Sequence, residues 1–231
     1  MRKQTVSALP SDVNFINMII FGANNINMKR LYILAAAVMA SACISCCPGT
    51  SGQKDDANPV IENMMARRSI RNYKPAPVGR DTLDKIMECG INAPNGMNRQ
   101  SWEIRIVDNP ETMDRISDAM ADANPETEAG TVKGCFRGAP VMIFIANDLS
   151  YDCSAIDCGL LSENIMLSAW SLGIGSVCLG SPVRFLKNAE EALNILAFSE
   201  GYSPIICIGL GYPDEKPEAK PRDRSKVKYV E

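Results

Sequence analysis

The run Pro140-Val141-Met142-Ile143-Phe144-Ile145-Ala146 carries no charged and no polar side chain, and Asn147 and Asp148 end it. A strand with one wet face alternates apolar and polar residues. An unbroken apolar run of this length reads instead as a central strand buried on both faces. From Asp152 to Leu172 the chain then places Ile156, Leu160, Leu161, Ile165, Met166, Ala169 and Trp170 on more than one helical stripe. That pattern predicts a long helix buried nearly all round, lying in the core or across a dimer interface.

Outward from this pair the apolar period keeps changing between helix and strand. Asn58 and Pro59 read as the cap and first residue of a helix that runs through Ile61, Met64 and Met65. Leu83, Ile86, Met87 and Gly90 stand at i, i+3, i+4 and i+7, a second helix that starts after Gly79 and ends before Ala93 and Pro94. Trp102 to Val107 alternates as a half-exposed strand, and an amphipathic helix follows from Pro110 to about Ala123. Further on come a short strand at Ser176–Leu179, a helix around Ala189–Ala197 and a strong strand at Pro204–Leu210. Residues 124–138 are polar, carry Gly130, Gly134 and Gly138, and are where a lid or substrate loop would fit. No internal repeat is visible, and the mixture predicts an α+β or α/β fold with helices packed on a sheet.

A chain of 231 residues with 46% apolar and 22% charged side chains suits one soluble domain with a sizeable core. It contains no histidine. That excludes Ser/His/Asp and Cys/His triads, imidazole acid–base chemistry and imidazole zinc sites, and it favours either a non-enzyme or an enzyme whose reactivity is carried by an organic cofactor. Of nine cysteines, only Cys43 and Cys46 have a CxxC spacing, and they fall in a targeting pattern where a metal or redox motif is not expected. The scattered Cys89, Cys135, Cys153, Cys158, Cys178 and Cys207 read as small buried apolar residues.

Lys29 and Arg30 precede an uncharged stretch from Leu31 to Ala42, and Cys43 follows Ala40, Ser41 and Ala42. The layout is that of a signal peptide over about residues 28–42, and those twelve apolar or small residues are too few to span a bilayer. The site resembles a lipoprotein processing signal with Cys43 as the lipidated residue, Cys46 as runner-up and simple cleavage as the alternative. Residues 1–27 read as a segment upstream of a start at Met28. Pro48 to Pro59 reads as a flexible tether, so residues 1–57 are set apart from a domain over 58–231. The expected location is outside the cytoplasm, at a membrane, with a cytoplasmic protein as the alternative. Without residues 1–42, 20 basic and 26 acidic side chains remain, a net −6 that argues against a nucleic-acid partner.

Arg67-Arg68-Ser69-Ile70-Arg71 puts three guanidiniums and a hydroxyl just after the first predicted helix. Guanidinium is always charged and its planar donors match a phosphate, so the pentapeptide reads as an anion clamp or, alternatively, as a solvated basic turn.

Four blocks in order carry a family likeness. They are Arg67 to Arg71; Ala93-Pro94-Asn95-Gly96-Met97-Asn98-Arg99-Gln100-Ser101-Trp102; Asp157 through Gly180; and Ile208-Gly209-Leu210-Gly211-Tyr212-Pro213 with Lys220-Pro221-Arg222. From about Pro59 to Arg222 the chain resembles the FMN-dependent nitroreductase family. The resemblance implies an α+β fold, with an antiparallel-rich sheet wrapped by helices. It also implies a homodimer with FMN bound across the interface, and a C-terminal arm, here 212–231, that reaches around the partner. Arg67 and Ser69 then match ligands of the ribityl phosphate, and Arg68 a neighbouring flavin contact. Arg71 matches the cation facing flavin N1 and O2, where reduction places negative charge. Pro94, Asn95, Gly96 and Asn98 match a loop that passes along the isoalloxazine from the partner chain, with Gln100 a nearby polar contact. Leu179 and Gly180 match backbone at the ring edge, and Lys220 and Arg222 close on the phosphate. Trp102 reads as core. The implied activity is ping-pong electron transfer from NAD(P)H to a nitroaromatic, quinone or similar planar acceptor. An exported member meets little NAD(P)H, so a membrane quinol or reduced small carrier is the alternative donor. Reductive dehalogenation or flavin fragmentation on the same fold, or a non-catalytic flavin-binding lipoprotein, are the competing readings.

Overall fold

The structure is a computed structural model that describes residues 58–231. The signal segment, Cys43, Cys46 and the tether lie outside the described residues. Four strands, β1 (Trp102–Val107), β2 (Val141–Asp148), β3 (Gly175–Leu179) and β4 (Tyr202–Gly211), form one sheet in the order β1-β2-β4-β3, and every pairing is antiparallel. Around it lie α1 (Pro59–Ala66), α2 (Arg80–Ile91), α3 (Pro110–Asp122), α4 (Ala129–Lys133), α5 (Ser154–Ser171), α6 (Ser181–Leu186) and α7 (Glu190–Leu196).

The apolar run opens β2, and Val141 through Ala146 are all buried. Successive strand residues point to opposite faces, so the run feeds two cores. Met142 and Phe144 join Ile116 and Met120 of α3, Phe185 of α6 and Leu196 of α7. Val141, Ile143 and Ile145 join Leu83 and Ile86 of α2 and Leu161 and Ile165 of α5. Each such side chain contributes about 1.5–3 kcal/mol by leaving water. Both neighbours of β2 are therefore fixed by register, and a slip of one residue would exchange the two cores. Pro204 lies inside β4 where the pairing with β2 shifts between Ile145 and Ala146 and where β3, paired only with Cys207–Gly211, does not reach, so the residue has an edge on one side.

Four features depart from the sequence reading. Residues 124–138 are not an open lid: α4 and a 3-10 turn at Gly134–Phe136 bury Val132, Cys135 and Phe136, and the Phe136 ring meets Phe144 edge-on at 5.9 Å. The polar residues and glycines of this stretch hide three isolated apolar anchors. Only Cys135, Cys158 and Cys207 of the scattered cysteines are buried, whereas Cys89, Cys153 and Cys178 are exposed. Burial pushes the Cys135 thiol up to about 12 and the Cys158 thiol to about 11, which makes them poor nucleophiles. α5 leaves Ile156 and Leu160 exposed on one side. Between the strand that ends at Leu179 and the helix expected around Ala189–Ala197, Ser181–Leu186 form a further helix, α6, with Pro182 in its first turn.

Candidate active site

α1 begins where the Asn58 side chain accepts from the Val60 and Ile61 N–H groups at 3.0 and 3.3 Å. It stops at Arg67, whose backbone turns to φ −55, ψ 137. From there the chain is extended and runs beside the free edge of β3. Ser69 bridges Ser176 in parallel, and the Ile70 N–H donates to the Ser176 carbonyl at 2.9 Å. Ile70 is fully buried and pins the segment. Gly175 leaves room for it, because a Cβ there would lie 2.7 Å from Ile70 Cγ1. With Ile70 directed inward, the two-residue period of an extended chain puts Arg67, Ser69 and Arg71 together on the opposite side.

Arg68 therefore does not share that face. It lines the same cavity, but its guanidinium donates to the Met65 and Arg67 carbonyls, each at 2.8 Å, and so caps the end of α1. Its charge thus stays at the cavity while its donors are shared with the end of α1. Arg67 stands 3.7 Å from Glu163 of α5. The Arg71 guanidinium donates to the Ser69 carbonyl at 3.3 Å.

The chain after β4 closes the site from above. Tyr73 pairs with Pro213, the Lys74 N–H donates to the Tyr212 carbonyl at 2.9 Å, and the Asp214 N–H donates to the Asn72 carbonyl at 3.0 Å. The Glu215 carboxylate accepts from the Arg71 N–H and from the Asn72 N–H at 3.1 Å. Beneath, the Tyr73 hydroxyl donates to the Ile70 carbonyl at 2.6 Å. Burial raises its pKa, and the charge of Glu215 adds to this. So rooted, residues 217–222 arch over the clamp and bring Lys220 and Arg222 to a cavity of about 310 Å³ also lined by Arg67, Arg68, Ser69 and Arg71. Glu218 is the one carboxylate in that lining, and Met64, Met65 and Pro217 give it an apolar side. Five cations and a hydroxyl around one small volume fit a phosphate monoester with an attached organic body.

The loop at 95–101 is built differently. Met97, Asn98 and Gln100 all have left-handed backbone, with φ of 52, 53 and 50 degrees. Each such residue costs on the order of 1–2 kcal/mol, so the conformation must be imposed. Asn95 Oδ1 accepts from the Gln100 N–H at 2.9 Å. Asp157, in the first turn of α5 and 2% exposed, accepts from the Gly96 N–H at 3.0 Å and the Ser101 hydroxyl at 2.9 Å. A side chain at Gly96 would run into the Tyr151 hydroxyl, and the Arg99 guanidinium lies over the Tyr151 ring, 4.4 Å from its centre.

Of the residues named from sequence, the structure brings Arg67, Arg68, Ser69, Arg71, Lys220 and Arg222 to one cavity. Pro94, Asn95, Gly96, Asn98 and Gln100 stand apart from it on the strained loop, and Leu179 and Gly180 do not line it either. Leu179 is buried and paired with Cys207. Trp102 packs at the edge of the core on the α2/α5 side. Sequence reasoning missed Glu215, Asp157, Ser101 and Tyr151 as supports, because each acts on a segment remote in the chain.

Comparison with known proteins places these features in a family. A nitroreductase with bound FMN from Desulfitobacterium hafniense is 31% identical, with 75% of this chain and 99% of that chain covered at a TM-score of 0.67. A nitroreductase with bound FMN from Bacteroides fragilis is 26% identical, covering 76% and 100% at a TM-score of 0.68. The FMN reductase [NAD(P)H] of Bacillus subtilis is 28% identical over 178 residues, which is 71% of this chain and 70% of that one. The model of the nitroreductase family matches residues 64–212, from the end of α1 to the root of the arm, and the chain belongs to that family.

Proposed function

We propose that the protein is an FMN-dependent oxidoreductase that passes two electrons from a nicotinamide donor to a planar acceptor such as a nitroaromatic or a quinone. The observation that carries this is the cationic cavity between Arg67–Arg71 and Lys220–Arg222, whose donors fit a flavin phosphate. Bound there, FMN supplies a site that takes up and gives back hydride, so that donor and acceptor use one pocket in turn. Arg67, Ser69, Lys220 and Arg222 hold the phosphate. Arg71 contributes a fixed positive charge that favours the more negative, reduced form of the cofactor. Glu215 holds the backbone of Arg71 and Asn72, and with it the roof of the cavity.

The second half of the pocket comes from another copy of the chain. Val60, Ile61, Met64 and Met65 of α1 and Ile156 and Leu160 of α5 expose apolar surface, and α1 is tied to α5 by the Asn63 side chain donating to the Leu167 carbonyl at 2.9 Å. A second copy covering this face accounts for it, and would bring a 95–101 loop to each flavin. The lipoprotein pattern ending at Cys43 supports export and membrane anchoring.

Purified protein is expected to bind FMN with quenching of flavin fluorescence, to bleach anaerobically with NADH or NADPH, and to regain colour on adding a nitroaromatic or a quinone. Failure to bind FMN overturns the assignment. Light scattering of the purified domain is expected to give twice the chain mass. Mass spectrometry of the mature N-terminus is expected to find acylated Cys43, and an intact Met28–Cys47 segment on soluble protein would overturn export.

A further inference from the structure

Two supports of the 95–101 loop, one at each end, meet on one side chain. Asp157 is the only carboxylate that touches the loop among the described hydrogen bonds, and it holds both ends: Gly96 through its backbone N–H and Ser101 through its hydroxyl. The carboxylate is buried and lies in the first turn of an 18-residue helix whose own N–H groups favour negative charge. Its neighbour Ser154, also fully buried, donates to the Ser101 carbonyl and accepts from the Asp148 N–H at 2.9 Å, so the same turn fixes the loop's exit to the end of β2. The three left-handed residues between Gly96 and Ser101 are held from both ends by these contacts, with Asn95 on the Gln100 N–H and Tyr151 under Arg99 adding to them.

We propose that Asp157 is the positioning residue that presets the 95–101 loop, and through the loop determines how the ring of the cofactor and a planar acceptor are received. This rests on the reading of the site as a flavin pocket. The phosphate side of that pocket is built from other segments, so Asp157 acts on acceptor recognition and on the ring environment rather than on phosphate affinity. Nothing in this role requires Asp157 to exchange a proton or to touch substrate.

The variants differ in what they remove. Asp157→Ala deletes both acceptors. Asp157→Asn keeps an acceptor for the Gly96 N–H, and its amide can donate to a Ser101 hydroxyl turned round, so it is the conservative rescue. Ser162→Ala, which removes a hydroxyl donating to the Cys158 carbonyl at 2.6 Å on the same helix, is a control for loss of local stability without a link to the loop.

Hydrogen exchange and trypsin cleavage at Arg99 test the loop with or without cofactor. Asp157→Ala is expected to speed exchange across residues 95–101 and cleavage at Arg99 at least tenfold, with exchange in β2 and β4 unchanged. Asp157→Asn is expected to stay within threefold of the native protein, and Ser162→Ala to leave the loop protected. In the FMN-loaded enzyme, Asp157→Ala is expected to raise the acceptor KM about tenfold, with a smaller change in kcat, to alter the visible circular dichroism of the flavin, and to change the FMN Kd less than threefold. If loop exchange and Arg99 cleavage in Asp157→Ala match the native protein, or if Ser162→Ala reproduces every change, the proposal fails. Should Asp157→Ala not fold, Ser101→Ala carries the same exchange test at one of the two contacts, and an unchanged loop there also overturns it. Absence of FMN binding in the native protein would overturn the assigned function and leave the exchange result standing on its own.

Discussion

Arg71, Lys220 and Arg222 stand exposed around their cavity, and the bonds that seat the two strands of chain carrying them lie at Arg71, Asn72 and Asp214, short of Lys220 and Arg222. Gly96, Gln100 and Ser101 are tied to a buried carboxylate and an asparagine, in a backbone that is left-handed at three of its residues. Long cations lose little by waiting in water, because an arriving phosphate brings the bonds that order them. A loop that is to meet a flat ring has only its shape to offer, and that shape must exist beforehand. On the proposed reading, one half of the site would be ordered by its ligand and the other by the protein.

Removing a cation gives the largest expected effect. Arg67→Ala forfeits a charge-assisted bond worth about 1.5–3 kcal/mol, which weakens FMN binding about 10- to 150-fold in a fluorescence titration. A change below threefold would mean that the preset loop, not the charges, carries the affinity. Gly175→Ala tests whether the clamp is itself preset. Its Cβ must displace Ile70, from which it would stand 2.7 Å, and overpacking of this kind costs about 1–3 kcal/mol. The urea midpoint is expected to fall and FMN affinity to fall with it, and unchanged affinity would show that Ile70 does not aim the arginines.

Tyr73→Phe removes the hydroxyl bonded to the Ile70 carbonyl, at about 1 kcal/mol. Its pKa is raised in the folded state above the ordinary value of 10.0, so its contribution is complete below that pH and is lost as pH rises beyond it. The native protein should lose stability in urea above pH 10, and the variant should lose less. Ser176→Ala has the smallest effect. Its hydroxyl is fully buried with no hydrogen-bond partner, so deletion is expected to be neutral or to stabilise by less than about 1 kcal/mol. A clear loss would reveal a partner that ties β3 to the clamp.

The parts written in local chemistry were legible. Asn58 and Pro59 start α1, and the apolar run from Val141 makes β2, because capping and burial act over a few residues. The clamp was legible as a charge cluster, yet its division between Arg67, Ser69 and Arg71 on one side and Arg68 on the other needed the backbone to be extended. A helix continuing through Arg68 would have grouped them differently. Asp157 and Glu215 left no local signal, since each acidic residue serves a segment that other elements bring to it. The packed stretch at 129–136 misled because Val132, Cys135 and Phe136 are spaced among glycines and polar residues without a clean period.

The tie between Arg71 and Glu215 joins positions 144 residues apart. Pairings of such separation close the largest loops in the chain and tend to form after local structure is in place. The cationic cavity is thus expected to be among the last features to form during folding, and an unfolded or half-folded chain lacks it. A cofactor that binds only the finished seat draws the folding equilibrium toward completion as its concentration rises above its dissociation constant. Supply of the cofactor can therefore set how much of the chain survives, apart from any turnover it supports.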